Sequence, residues 1–303
     1  MAKITNLPII DMSSPDREFN AKSVRQACVD CGFFYIINHG IDDGLKSKVF
    51  DQSNKFFALP DHEKMRVKVN NDYRGYTPTF FENLDPSVES KGDMKEGYYI
   101  GPSKDVKSGC YLNQWPSKEV LPFWKETMEC YHENMLTLGT KLLSIVALAL
   151  NLDKNFFENV SALKDPNAFI RLLHYPGHLT TIVDGGYGAS AHSDYGMITL
   201  LICREKDVLP RLWEDVHHID GAFIVNIGDM LERWTNCLFR STLHRVLSVG
   251  QERYSVAFFL DPNADCIVEC LESCRSEACP PRFPPIRSGD YLLQRMAAAY
   301  GLK

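Results

Sequence analysis

GASAHSDYGMITLL, residues 188–201, sets a histidine and an aspartate, His192 and Asp194, at the mouth of an apolar run with the texture of a buried strand. Side chains two apart on a strand point to the same face. The pair therefore looks out on a wet surface or inward at something it binds. About fifty residues on, STLHRVLS carries another histidine, His244, in a second strand-like run. Two histidines and one carboxylate drawn from two strands suit a mononuclear non-haem iron(II) site, three ligands on one side with open positions on the other. Zinc accepts the same donors, so ligand identity alone leaves the metal open.

Nine residues past His244, QERYSVAFF places Arg253 and Ser255 on one face of a further strand. A guanidinium on an apolar strand needs an anionic partner, because burying it unpaired is costly. Its fork suits a carboxylate taken in bidentate fashion, with the serine hydroxyl as a third donor. An internal Asp or Glu would serve as well as a bound carboxylate.

Upstream, LPIID reads as a first strand, residues 20–31 as a helix and GFFYIINHGI as a strand closed by Gly40. DDGLKSKVFDQSNKFFALP reads as a second helix ending before Pro60, followed by a segment that Asp61 would cap. Residues 71–120, rich in Gly, Pro, Asn and Tyr, read as loops, and residues 121–150 as one long helix with a nearly all-apolar C-terminal half. From about residue 166 the texture changes to short apolar runs separated by turn residues, and YLLQRMAAAY closes the chain as a short helix. This pattern is expected to give a mainly β fold with α: a double-stranded β-helix (jelly-roll) core supported by helices, with a helix-rich N-terminal region. The expected division is a helix-rich N-terminal domain (1–120), a supporting helix and linker (121–165), the jelly-roll domain (166–265) and a C-terminal tail (266–303).

The 303 residues are 45% hydrophobic and 24% charged, with a formal net charge of −6. That balance excludes a disordered chain and argues against nucleic acid as a partner. No apolar run approaches the roughly 18–20 residues that span a bilayer, and MAKITNLPIIDMSS lacks the pattern of a secretory leader. A soluble, cytoplasmic protein without membrane contact is expected. Ten cysteines include CVDC at 28–31 and four in the tail, without a second pair at zinc spacing, and read as reduced thiols.

HSD, then His244, then RYS resemble the iron(II)/2-oxoglutarate-dependent dioxygenases, in the plant-type branch that includes isopenicillin N synthase-like enzymes. LPIIDMSS, CGFFYIINHGI, FFALPDHEK, YRGYTP, NQWP and RLLHYPG also match that branch, in order, over most of the chain. The resemblance implies iron held by His192, Asp194 and His244, and 2-oxoglutarate held through its distal carboxylate by Arg253 and Ser255, with Tyr175 beside it. It implies dioxygen as co-substrate, ascorbate as reductant, and oxidation of a C–H bond of a small molecule with release of succinate and carbon dioxide. A monomer is expected. Arg171, Phe258, Phe80 and Tyr98 are candidate substrate contacts, with Tyr76, Phe81 and Tyr99 forming a wall or lid, while Asn226 in FIVNIGDM reads as structural. In relatives a Gly-Leu-Gln-like turn follows the first ligand strand. Here LLICREKD runs straight on with no turn residue between Thr199 and Asp207, so one barrel strand is expected to be shortened or missing after residue 201. That departure leaves an alternative open: an impaired relative that binds metal or cosubstrate without efficient turnover. A zinc hydrolase with the same ligands would have no use for Arg253 and Ser255.

Overall fold

A computed structural model describes residues 7–85, 92–102, 113–177, 187–204, 216–247 and 250–300. The chain opens with β1 (Ile9–Asp11), α1 (Arg17–Asp30), β2 (Phe33–Ile37), α2 (Asp43–Phe57), α3 (Asp61–Met65), β3 (Gly75–Thr77) and β4 (Glu96–Ile100). The long helix α4 (Trp124–Ala149), the short α5 (Phe156–Asn159), then β5 (Asn167–Tyr175), β6 (Tyr187–His192), β7 (Ile198–Cys203) and β8 (Phe223–Ile227) follow. After α6 (Asp229–Trp234) come β9 (His244–Leu247), β10 (Arg253–Asp261), β11 (Ile267–Val268), β12 (Ile286–Arg287) and α7 (Ser288–Tyr300).

Local chemistry explains where the helices start. Asp16 caps α1 by accepting from the Phe19 N–H at 2.9 Å, and Asp42 caps α2 from the Leu45 N–H at 2.8 Å. At α3 the cap position belongs to Pro60, with Asp61 already in the first turn. Proline fits there because its missing N–H would have had no partner. The expectation that Asp61 caps this helix is corrected accordingly.

Among the described residues, eight strands form one mixed sheet in the order β1-β2-β8-β7-β10-β5-β4-β3, and β6 pairs with β9 in a second, two-stranded sheet. The N-terminal region supplies both edges of the large sheet. β3 and β4 correct the reading of residues 71–120 as loops: Gly75 and Gly97 interrupt the sequence pattern, yet β4 pairs with β5 from Glu96↔His174 to Ile100↔Ile170.

Alternation along the strands sorts side chains between two environments. Ile170, Leu172, Ile198, Leu200, Val225 and Phe258 join the core under α4 and α1. Leu173, Tyr175, Leu201, Ile224, Ser255 and Ala257 face instead a cavity of about 400 Å³ that Ala189, His192, His244 and Val246 of the small sheet close from the other side. The architecture is the expected jelly-roll type, two sheets around a site, without a closed barrel among the described residues. β7 runs to Cys203 and pairs with β10 over its whole length, so it is not cut short at Leu201. Among the described residues β6 and β9 have no further strand beside them. The stretch carrying the expected abrupt turn lies largely at 205–215, outside the described residues.

Candidate metal centre

His192 ends β6, His244 begins β9, and the two are cross-strand partners, with ring centroids 4.3 Å apart. Asp194 follows two residues after His192, and its Oδ1 lies 3.6 Å from Nε2 of each histidine. One ligand atom from each residue falls within 4.8 Å of the others.

The other side-chain polar atoms of the triad are committed elsewhere. His192 Nδ1 is 2.7 Å from the Ser190 carbonyl and His244 Nδ1 is 3.1 Å from the Thr242 carbonyl. A carbonyl only accepts, so each Nδ1 carries the proton and each Nε2 keeps its lone pair. Asp194 Oδ2 accepts from Thr199 Oγ1 at 2.6 Å and Asn226 Nδ2 at 2.7 Å, and the Asp194 carbonyl accepts from the Asp229 N–H at 2.8 Å. Burial, and then the neighbouring His244, pulls His192 below the usual imidazole range, which keeps it neutral. Burial pushes Asp194 up, but His244, His192 and the two side-chain hydrogen bonds outweigh it and hold the carboxylate ionised. Two imidazole nitrogens and one carboxylate oxygen therefore converge, and that donor set fits a divalent iron.

Arg253 and Tyr175 are register partners on β10 and β5, and the guanidinium lies over the Tyr175 ring at 4.4 Å. Both line the large cavity with Ser255 and the triad. Arg171 also faces it, hydrogen-bonded to Glu82 and stacked over Tyr99 at 4.4 Å. Glu82 is shared with Lys95 at 3.4 Å, and Lys95 pairs with Asp93 at 2.5 Å. Asp93 in turn accepts from the backbone N–H and hydroxyl of Ser190 at 2.9 and 2.7 Å. A buried charge network thus ties the segment before β4 to the strand that bears His192.

A smaller pocket of about 80 Å³ adjoins the triad and shares Leu84, Arg171, His192, Asp194 and Phe259 with the large cavity. Leu292, Met296 and Ala299 of α7 form part of its wall. α7 is latched to the ligand loop: Arg295 donates to Asp229 Oδ2 at 2.6 Å and to the Ser193 carbonyl at 3.4 Å.

Three expected substrate contacts are corrected. Phe258 is fully buried on the opposite face of β10, packed edge-on against His132 at 5.8 Å, while Phe259 lines both cavities. Tyr98 is likewise in the core against Phe56 and Trp124, and its neighbour Tyr99 lines the small pocket. Both errors are of one residue, which on a strand is a change of face. Phe80 lines neither cavity; it sits in a turn at a φ of 63°, its N–H donating to the Asp93 carbonyl. Of the wall residues, Tyr76 is buried and donates to Glu96, and Phe81 is partly exposed beneath Lys68. Asn226, read as structural, orients a ligand. Thr199, Glu82, Lys95, Tyr195 and Asp261 escaped the sequence reading, although Thr199 and Asp261 keep the odd-numbered alternation of their strands.

Residues 7–118 match the family model for the non-haem dioxygenase in morphine synthesis N-terminal region, and residues 166–262 match that for the 2OG-Fe(II) oxygenase superfamily. Kihadalactone A synthase LFS of Citrus sinensis is 42% identical over 96% of this chain and 92% of its own length. Azadirone synthase LFS of Melia azedarach is 38% identical over the same shares. Among solved structures, a full-length Neurospora crassa protein in complex with alpha-KG and thymine superposes with a TM-score of 0.84 at 28% identity, covering 98% of this chain and 99% of that one. With two family models in sequence order, relatives of this similarity and a converging His-Asp-His triad, the chain belongs to the 2OG-Fe(II) oxygenase superfamily and is a 2-oxoglutarate-dependent oxidoreductase.

Proposed function

We propose that His192, Asp194 and His244 hold the iron, that Arg253 and Ser255 take the distal carboxylate of 2-oxoglutarate, and that Tyr175 fixes the guanidinium from beneath. When bound, the iron with 2-oxoglutarate and dioxygen supplies the oxidising power that breaks a substrate C–H bond, with succinate and carbon dioxide as by-products. The chain's own part is arrangement. Thr199 and Asn226 stop the Asp194 carboxylate from turning, the Ser190 and Thr242 carbonyls set both imidazole tautomers, and Arg253 supplies a fixed positive charge at the far end of the cavity. Leu173, Leu201, Ile224 and Ala257 keep water from the walls between them. A small-molecule substrate suits this cavity; the neighbouring Neurospora crassa structure is a complex with alpha-KG and thymine. Ascorbate as reductant, a monomeric state and a cytoplasmic location complete the reading; no helix among the described residues is long and apolar enough to cross a membrane.

The commitment of every triad side-chain nitrogen and oxygen except the two Nε2 atoms and Oδ1 carries this reading. It also favours turnover over the impaired alternative, because the departure after Leu201 leaves the ligands and their orienting partners in place. Anaerobic addition of iron(II) and 2-oxoglutarate should give a weak visible charge-transfer band, which His244→Ala abolishes. Arg253→Met should keep iron binding and weaken 2-oxoglutarate at least tenfold. A folded protein without the band, or an Arg253→Met variant with unchanged 2-oxoglutarate affinity, refutes the assignment.

A further inference from the structure

We propose that Asp261 is the polar anchor for the primary substrate, and that the group it receives is an alcohol hydroxyl on an otherwise apolar molecule. This inference rests on the assignment of the iron and 2-oxoglutarate sites above. Asp261 ends β10 opposite Asn167 of β5 and is 5% exposed. Among the described residues its carboxyl takes part in no hydrogen bond or ion pair, and it lines the small pocket beside His192 and Asp194. A buried carboxyl is ordinarily satisfied, because an unmet polar group in a protein interior is costly. Asp261 Oδ1 already lies against Gly196, in the space that a Cβ there would fill, and Gly196 lines the same pocket.

The alternation of β10 puts the two polar binding positions at opposite ends of one face. Arg253 stands at the start, Ser255, Ala257 and Phe259 follow, and Asp261 stands at the end. Eight residues of strand separate the ends by roughly 26 Å, and the metal ligands face the cavities between them. With Arg253 and Ser255 engaged by 2-oxoglutarate, the pocket at Asp261 is left for the molecule to be oxidised.

The surroundings select the partner. Leu84, Phe169, Phe259, Leu292 and Met296 make most of the wall apolar. Glu82 is already matched by Arg171 and Lys95, so its charge does not recruit a cation. The Arg171 guanidinium lines the same pocket and disfavours a cationic group next to Asp261. An alcohol suits a carboxyl in either protonation state, donating to the carboxylate or accepting from the acid O–H.

The test uses the enzyme loaded anaerobically with iron(II) and 2-oxoglutarate, and three fluorinated probes of nearly the same shape: 4-fluorobenzyl alcohol, 4-fluorotoluene and 4-fluorobenzylamine. Fluorine NMR titration reports affinity, and line broadening by the paramagnetic iron reports whether a probe sits beside the metal. The alcohol is expected to bind about tenfold more tightly than the toluene, as one net hydrogen bond to a buried acid implies. Asp261→Leu should erase the difference, and Asp261→Asn should retain part of it. Equal binding of alcohol and toluene, tighter binding of the amine, no broadened alcohol signal, or preserved discrimination in Asp261→Leu each overturns the proposal. The charge-transfer band is recorded on the same samples. Its loss from the wild-type protein indicts the metal and cosubstrate assignment instead, and if Asp261→Leu fails to fold, the wild-type comparison and Asp261→Asn decide.

Discussion

Asn226→Leu should weaken iron(II) binding while leaving the fold in place. Asn226 is 4% exposed, and its amide donates to Asp194 Oδ2 at 2.7 Å, so leucine fills the volume and removes one of the two hydrogen bonds that orient the ligand. A hydrogen bond to a charged group contributes about 1.5–3 kcal/mol. At about 1.4 kcal/mol per factor of ten, its full loss corresponds to roughly 10–150-fold in dissociation constant, in line with the ~10–100-fold typical of residues that orient a metal ligand. Thr199 Oγ1 still holds the same oxygen at 2.6 Å, which places the expected effect toward the lower part of that span. Thr199→Val should cost a similar factor. The double variant should lose more than the product of the two, because either single variant leaves one restraint on the carboxylate. The assay is an anaerobic iron(II) titration in saturating 2-oxoglutarate, followed at the charge-transfer band, with circular dichroism confirming the sheet. A folded Asn226→Leu protein whose dissociation constant moves less than about threefold, well under the hydrogen-bond range, would refute the claim that this amide sets the ligand's geometry.

Three further outcomes follow from the packing. Phe258→Ala should lower stability by about 3–5 kcal/mol in urea melts without changing probe binding, whereas Phe259→Ala should do the reverse; equal effects would contradict the assignment of faces. Gly196→Ala should destabilise the protein by about 1–3 kcal/mol, since its Cβ meets Asp261 Oδ1, and Asp261→Ala added to it should restore part of that loss; no restoration would show that the obstruction lies elsewhere. Burial, then the nearby Asp194, raises the Asp261 carboxyl from 3.8 to about 8. The folded metal-free protein then holds a proton that the unfolded chain releases, so this group's stabilisation is complete below about pH 4 and is lost as pH rises toward 8. Asp261→Asn should flatten that slope in melts of the metal-free protein, and an unchanged slope would contradict the burial argument.

The triad was legible in one dimension because its chemistry is local: His192 and Asp194 share a strand face by spacing alone, and His244 lies in a strand-like run of its own. That Arg253 and Ser255 share one face of β10 was legible for the same reason. What orients the ligand was not. Thr199 and Asn226 are register partners across β7 and β8, and only sheet register brings residues 27 positions apart to one oxygen. The strands β3 and β4 were hidden because glycines and tyrosines dilute their alternation, while pairing with β5 decides their structure. Phe258 and Tyr98 were misplaced although the information was present: Arg253 and Ser255 already fixed the odd face of β10, and carrying that parity forward selects Phe259 and Asp261.

The small sheet consists of β6 and β9 alone among the described residues, with two irregularities in its register before the His192↔His244 pair. Two strands by themselves are marginal in water. An ion bound by one histidine from each strand acts as a rivet at the end of that ribbon, fixing a register that backbone pairing holds weakly. Occupancy then governs durability as well as chemistry, because binding to the folded form alone adds to its stability by mass action. In a cell short of iron, the expected first loss is this ribbon, opened to proteases while the eight-stranded sheet stays intact. The metal supply would thereby set how long each copy of the enzyme survives.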